Sequence, residues 1–351
     1  MEQRRVDRRP ATVPHELPTE DEDNDLDMAP PGMRSNTMSL VQNSLCKRCR
    51  FLRKDLQEPG FDTCLVKLSS LDLDCQYCQQ FNNVFEVAKS SEKNLTDMSQ
   101  LSLYRDLFKL ENERVSNPFA YLKIRFGTAA TAPDIHFFPL EVKRGSEIFP
   151  VGRYIKPCSA DFEMFRTVLH DCRERHKSTC TPSPAEPSLL RLIDCRDRRI
   201  IQASQHQRYI CLSYVWGNHV DETLTRDGAL PDNIPKTVED AMFVAIQLGV
   251  PFLWVDRYCI DQGKPQEKHN IIRNMDKIYH GAELTIIATV GEGPQHGLPG
   301  VRGTSRKLQC QLNLGEDIYV AAEQIRDEID GSKWASRGWY VSPKNDCVWR
   351  D

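Results

Sequence analysis

The clearest alternation of apolar and polar positions lies in the last two-fifths of the chain. From Arg208 to Val215 aromatic and β-branched residues crowd together and stop at Trp216-Gly217, the pattern of a buried strand. Between Lys236 and Leu248 the spacing becomes helical: Val238, Ala241, Met242, Ala245 and Leu248 share one face. Thr237 through Asp240 have the spacing of a capping box, and Gly249 ends the element. Pro251 to Asp256 predicts a second strand and Leu284 to Val290 a third. Between them, Glu267 to Ala282 predicts a helix whose apolar stripe is Ile271, Ile272, Met275, Ile278 and Tyr279. Strand, helix, strand, helix, strand predicts an α/β domain with a parallel sheet, each crossover helix covering one face.

Upstream the pattern is weaker. Short apolar segments at Phe119 to Phe126 and His136 to Val142 read as strands, and Asp161 to Cys172 as a helix. Ser178 to Pro187, with three prolines, reads as a surface connection. These signals do not specify a fold. Residues 1–40 begin with four arginines among the first nine positions, pass through an acidic run from Glu16 to Asp27 and reach Pro30-Pro31-Gly32. Having little to bury, they predict a disordered tail. The expected organisation is therefore a tail over 1–40, a Cys-rich region over 41–205 and an α/β domain over 206–351.

Composition narrows the classes. A length of 351 residues suffices for two domains with cores of their own. Lys plus Arg number 46 against 50 Asp plus Glu, a formal charge of −4, so no overall field draws the chain to nucleic acid. The small basic group Lys47, Arg48, Arg50, Arg53 and Lys54 has no interleaved aromatics to change that. Thirteen cysteines invite a disulfide scaffold, yet Met1-Glu2-Gln3-Arg4-Arg5 opens no apolar signal segment, so reduced thiols and a cytoplasmic or nuclear location are expected. No apolar run of about 18 residues predicts a membrane span.

Ligands of α/β sheets gather beyond the carboxyl ends of the strands. That rule selects Ser213, Tyr214 and Trp216 after the first strand, Asp256, Arg257, Cys259, Asp261 and Gln262 after the second, and Glu267 at the start of the next helix. Glu267 sits four residues before Ile271, which predicts an inward-facing carboxylate in a first helical turn where the dipole favours an anion. Asp256 could meet a ligand hydroxyl or loop backbone N–H groups. Trp216 could stack on a base or pack in the core. Asp261 ahead of Gly263 fits a turn. Cys259, with His269 or His280 as base, has the residue types of a thiol nucleophile but no recognised signature around it.

The remaining cysteines pair by spacing. Cys46-x2-Cys49 and Cys75-x2-Cys78, with 25 residues between the pairs, could close a tetrahedral zinc site whose role would be structural. Cys172-x3-His176-x3-Cys180 would lie on one helix face, although Thr181-Pro182 threatens the last turn. A packed or surface cluster is the alternative in each case.

The run Tyr209-Ile-Cys-Leu-Ser-Tyr-Val-Trp-Gly217 resembles the opening motif of fungal heterokaryon incompatibility (HET) domains. Leu230-Pro231, Ile234-Pro235, Asp240-Ala241 and Leu248-Gly249 resemble the family's next segment, and Leu253-Trp-Val-Asp-Arg-Tyr-Cys-Ile-Asp-Gln262 resembles its most distinctive block. Gly297-Leu-Pro-Gly-Val301 and Trp334-Ala-Ser-Arg-Gly-Trp339 resemble later blocks, but the Thr-x-Gln-Glu that continues the last one is absent, which implies an incomplete domain. The resemblance implies a TIR-like or Rossmann-like fold and a role in non-self recognition and programmed cell death. It further implies NAD as a candidate substrate of a glycohydrolase using Glu267 and Asp256, with Ser213, Tyr214, Trp216, Asp261 and Gln262 around the nucleotide. The alternatives are a non-enzymatic adaptor that self-associates or binds an incompatibility or signalling partner, and an inactive copy.

Overall fold

The computed structural model describes residues 45–349, apart from 57–62, 92–99, 109–118, 128–133, 145, 177–179, 181–189, 218–227, 323–328, 337–338 and 342–346. The expected tail lies outside them, as does the connection from Ser178 to Pro187 except Cys180. Residues 45–351 form one unit. None of the described helices is long and apolar enough to cross a membrane.

The Cys-rich region, whose fold the pattern left open, builds an antiparallel sheet with two helices. Helix α1 (Lys47–Asp55) precedes β1 (Thr63–Lys67), and α2 (Gln76–Ser91) precedes β2 (Gln100–Phe108), β3 (Phe119–Phe126) and β4 (Asp134–Pro139). A hairpin, β5 (Glu141–Arg144) and β6 (Glu147–Pro150), and helix α3 (Phe162–Arg175) come next. Asp161 caps α3 by accepting the Met164 N–H at 2.9 Å.

The second sheet holds β7 (Arg191–Asp194), β8 (Arg199–Gln202), β9 (Ile210–Ser213), β10 (Phe252–Val255) and β11 (Leu284–Ile287), in the order β11-β9-β10-β7-β8. β10 and β11 both run parallel to β9, with Leu253 and Leu284 each opposite Ile210. The expected parallel sheet is thus the centre of a mixed one, because the hairpin β7–β8 adds antiparallel strands to β10. All four β9 residues are buried, as in a strand covered on both faces.

Between β9 and β10 runs α4 (Lys236–Gln247), whose five expected apolar positions are all buried. After β10 come α5 (Asp256–Cys259), α6 (Pro265–Arg273) and α7 (Met275–His280). The single helix expected over 267–282 is two. Asn274 Nδ2 donates to the Asn270 carbonyl at 2.8 Å, taking the acceptor that the helix ladder would use there, and the chain bends at Asn274. The core of this sheet places Trp254 edge-on to Tyr279, ring centroids 5.4 Å apart, while the Tyr209 hydroxyl donates to the Ile278 carbonyl at 2.6 Å.

The sheets do not divide at 205/206. Strands β7 and β8 come from the expected upstream region but lie in the second sheet. Conversely β12 (Gln311–Leu314) and β13 (Asp317–Ala321) complete the first, whose order is β1-β2-β3-β4-β13-β12. Leu312, Leu314 and Ala321 are buried with Phe81, Leu103, Ile124 and Phe137. No alternation around 311–321 could reveal which of two sheets it joins.

The expected capping box is absent. Pro235 holds the N-cap position of α4 without a side-chain bond, and Thr237 and Asp240 instead face the loop after Pro294. The wholly buried Asp240 accepts the Leu298 N–H at 2.8 Å, and Thr237 Oγ1 accepts the Gly297 N–H at 3.2 Å. Gly297 has φ +86°, and a Cβ there would stand 2.5 Å from Asp240 Oδ2 and 2.6 Å from Thr304 Oγ1. Gly297→Ala therefore meets both backbone strain and a buried carboxylate. It is expected to destabilise the chain by ~2–4 kcal/mol, read from urea unfolding.

Two carboxylates tie the rim together. Glu239 pairs with Arg198 at 2.6 Å and Arg302 at 3.4 Å; the mostly buried Glu283 pairs with Arg173 at 2.7 Å and with Arg208. Burial pushes both carboxyls up, but the guanidiniums outweigh it and hold them below the ordinary glutamate value. A depressed folded value means the stabilisation is complete above the unfolded value of about 4.3 and is lost as pH falls through the folded one. Urea unfolding from pH 7 to pH 3 should show that decline, with a shallower slope in Glu283→Gln.

Candidate functional site

At the carboxyl ends of the parallel strands Trp216 and Asp256 meet, while the other expected residues are bonded or buried elsewhere. The chain leaves β9 through Ser213, whose Oγ accepts the Trp334 indole N–H at 2.9 Å in a buried contact. Tyr214 is buried at once behind it. Trp216 turns towards β10: its Nε1–H donates to Asp256 Oδ1 at 2.9 Å, and the Arg257 guanidinium lies over its ring at 5.2 Å. The same Asp256 oxygen accepts the Arg257 backbone N–H at 2.8 Å, so the carboxylate fixes the first turn of α5 and the indole together. Gly217, at φ +65°, makes the next turn, packed against Pro294.

Asp261 forms the expected turn by accepting the Gly263 N–H at 3.0 Å, and its other oxygen stands 3.9 Å from Arg191 and 3.8 Å from Lys264. The exposed Gln262 donates to the Ile260 carbonyl at 3.2 Å.

Glu267 is where the expectation of an inward carboxylate fails. Its side chain is 57% exposed and paired with Lys264 at 3.0 Å. The buried stripe begins one turn later, at Ile271, so the first turn of α6 overhangs the core and its i−4 position faces water. Glu267 nevertheless lies at the same end of the sheet, linked to Asp261 through Lys264.

The Cys259 thiol is buried and pushed up to about 12 chiefly by that burial; it accepts from the Val255 N–H and donates to the Leu253 carbonyl. A thiol so held packs and does not attack. Two residues at this end went unpicked by topology, Trp334 and Asp240. Both belong to family-like blocks, Trp334-Ala-Ser-Arg-Gly-Trp339 and Asp240-Ala241, which was the signal available.

The four upstream cysteines converge. Cys46 is the N-cap of α1, Cys49 lies in its first turn, Cys75 precedes α2 and Cys78 lies in its first turn, so each pair sits at a helix amino terminus, where the dipole favours thiolate. All four Sγ atoms lie within 4.8 Å of one another, with Cys49–Cys78 at 3.6 Å and Cys46–Cys78 at 3.9 Å. Thiolates around one zinc at about 2.3 Å from the metal stand about 3.8 Å apart, so the donor set fits a four-coordinate zinc. Cys49, Cys75 and Cys78 are buried. Arg48 donates to Cys78 Sγ at 3.5 Å and is itself anchored on Ser70, a cation beside a centre that would carry excess negative charge. The third set, Cys172, His176 and Cys180, also brings its ligand atoms within 4.8 Å, at the surface end of α3.

Residues 209–342 match the family model described as Heterokaryon incompatibility protein (HET). No curated protein and no solved structure matches the chain.

A closed four-cysteine centre joins α1 to α2 and thus to the first core. Cys75→Ser is expected to cost one equivalent of zinc by elemental analysis and more than ~4 kcal/mol of stability in urea.

Proposed function

We propose that this chain, whose residues 209–342 match the heterokaryon incompatibility family model, is an effector of heterokaryon incompatibility or a related non-self-triggered cell death, acting as an adaptor through self-association or a signalling partner. The observation that carries the adaptor form is the internal pairing at the strand ends. Ser213 is taken by Trp334, Trp216 by Asp256, and Asp256 by Trp216 and the α5 backbone. Side chains committed to one another hold a surface in shape, whereas a nucleotide site needs such groups turned to the ligand.

A second reading, NAD glycohydrolysis, is favoured by the strand order β10-β9-β11. The chain moves from β9 to β10 on one side and returns to β11 on the other, and such reversals are where α/β sheets bind ligands. Glu267 overhangs that end with an accessible carboxylate. Loss of nicotinamide builds oxocarbenium character on the ribose, which a nearby carboxylate would stabilise.

One pair of measurements separates the two. The intact chain and Glu267→Ala are expressed in fungal cells for viability, and both purified proteins are assayed for nicotinamide release after circular dichroism confirms folding. The adaptor form expects equal death from both and no release from either. Release by the intact chain that disappears in Glu267→Ala would establish the glycohydrolase instead, and survival of cells expressing the intact chain would remove the effector reading altogether.

A further inference from the structure

We infer that Cys172, His176 and Cys180 form a second zinc site, separate from the four-cysteine centre, with three protein ligands and a fourth position open to solvent. Two successive backbone bonds set the ligands in line. The His176 N–H donates to the Cys172 carbonyl at 2.9 Å and the Cys180 N–H to the His176 carbonyl at 2.8 Å, which ties the three residues together by their backbone. The helix proper ends at Arg175, with His176 as its C-cap. The three ligand atoms come within 4.8 Å of each other.

Charge favours a cation at this place. It is the carboxyl end of a 14-residue helix, where the dipole is negative. The two arginines of the last turn are each matched by a carboxylate, Arg173 by Glu283 at 2.7 Å and Arg175 by Asp171 at 3.3 Å. Glu283 is held between Arg173 and Arg208, so among the described residues the fourth position is left to water. Binding replaces the two thiol protons: Zn2+ with two thiolates, a neutral imidazole and water is uncharged, and two protons go to solvent. An uncharged centre needs no Arg48 counterpart.

The two sites differ in access. Cys172 is half-buried, and His176 and Cys180 are exposed, whereas three of the four cysteines in the other centre are buried. The surface site should exchange its metal and the closed one retain it. Its mechanical task is to secure the carboxyl end of α3, a helix with no fully buried residue, to Cys180.

The test is zinc content of the full chain, purified without chelator, then release to a chromogenic chelator. Two equivalents are expected, one released fast and one slowly. Cys172→Ser with Cys180→Ser should lose the fast equivalent and keep the slow one, and the single variant His176→Asn, at an exposed position, should do the same if the double variant fails to fold. Cobalt substitution should add the absorption of a two-thiolate centre that both variants lack. One equivalent in the intact chain, an unchanged fast phase in His176→Asn, or a Cys172–Cys180 disulfide found by thiol titration of freshly purified protein would each overturn the assignment.

Discussion

The pairing of β13 with β4 is the contact that completes the first sheet after the chain has built the second. β4 would otherwise end the first sheet with an open edge beside buried Phe137, an invitation to intermolecular pairing. Its partner arrives more than 170 residues later, setting Ala321 opposite Phe137 and Val320 opposite Phe138, and the flanking bonds Leu140 N–H to Ile318 O and Ala322 N–H to His136 O extend the ladder. The first core does not close before the chain has passed through the second sheet, because Leu312, Leu314 and Ala321 belong to it. Such non-local pairing carries a loop-closure cost that local elements do not, which makes the first sheet late to complete even though most of its strands come first.

That same return strand links the cysteine centre to the strand ends. Cys78 and Phe81 lie on α2, and Gln80 of that helix exchanges side-chain bonds with both backbone groups of Asn313 in β12. The loop at 297–304, which closes on Asp240 of α4, leads through residues 305–310 into β12. The cysteine cluster, α2, β12, the loop and α4 are therefore joined by hydrogen bonds or by continuous chain at each step. Such a series transmits strain because packed interiors yield little. A change at the cysteine layer has a physical route to the sheet; a signal carried along it needs two arrangements of some element in the series.

How far the sequence disclosed this depended on locality. The helix α4 and the strands β9, β10 and β11 were legible within a residue or a few, because each buries a periodic face whose period lies within the segment. Asn274 broke a periodic helix through a side-chain bond that periodicity does not register. Thr237 and Asp240 have capping-box spacing, but Pro235 starts the helix and a distant loop took their oxygens, so a local rule lost to a tertiary contact. Glu267 was assigned inward because angular position tells which side of a helix a residue is on, not whether the core extends that far along its axis. The two Cys-x2-Cys pairs were legible because metal-ligand chemistry imposes short spacing. Their convergence was not, since it depends on where two separate helices begin.

The polar residues at the strand ends show the limit of inferring chemistry from placement. Topology correctly brought Trp216 and Asp256 to one place, yet a carboxylate there answers two demands with the same atoms. It can meet a substrate, or it can satisfy an indole N–H and an orphan amide of a short helix, and here Asp256 Oδ1 does the second for both donors. A ligand recruiting that oxygen would have to leave the Trp216 N–H and the Arg257 amide to find other partners. The cost of each lost bond is ~1–3 kcal/mol when the donor stays buried. Glu267, whose carboxylate is held only by an exposed lysine, carries no such cost, so any ligand chemistry at this end of the sheet would more readily recruit Glu267 than Asp256.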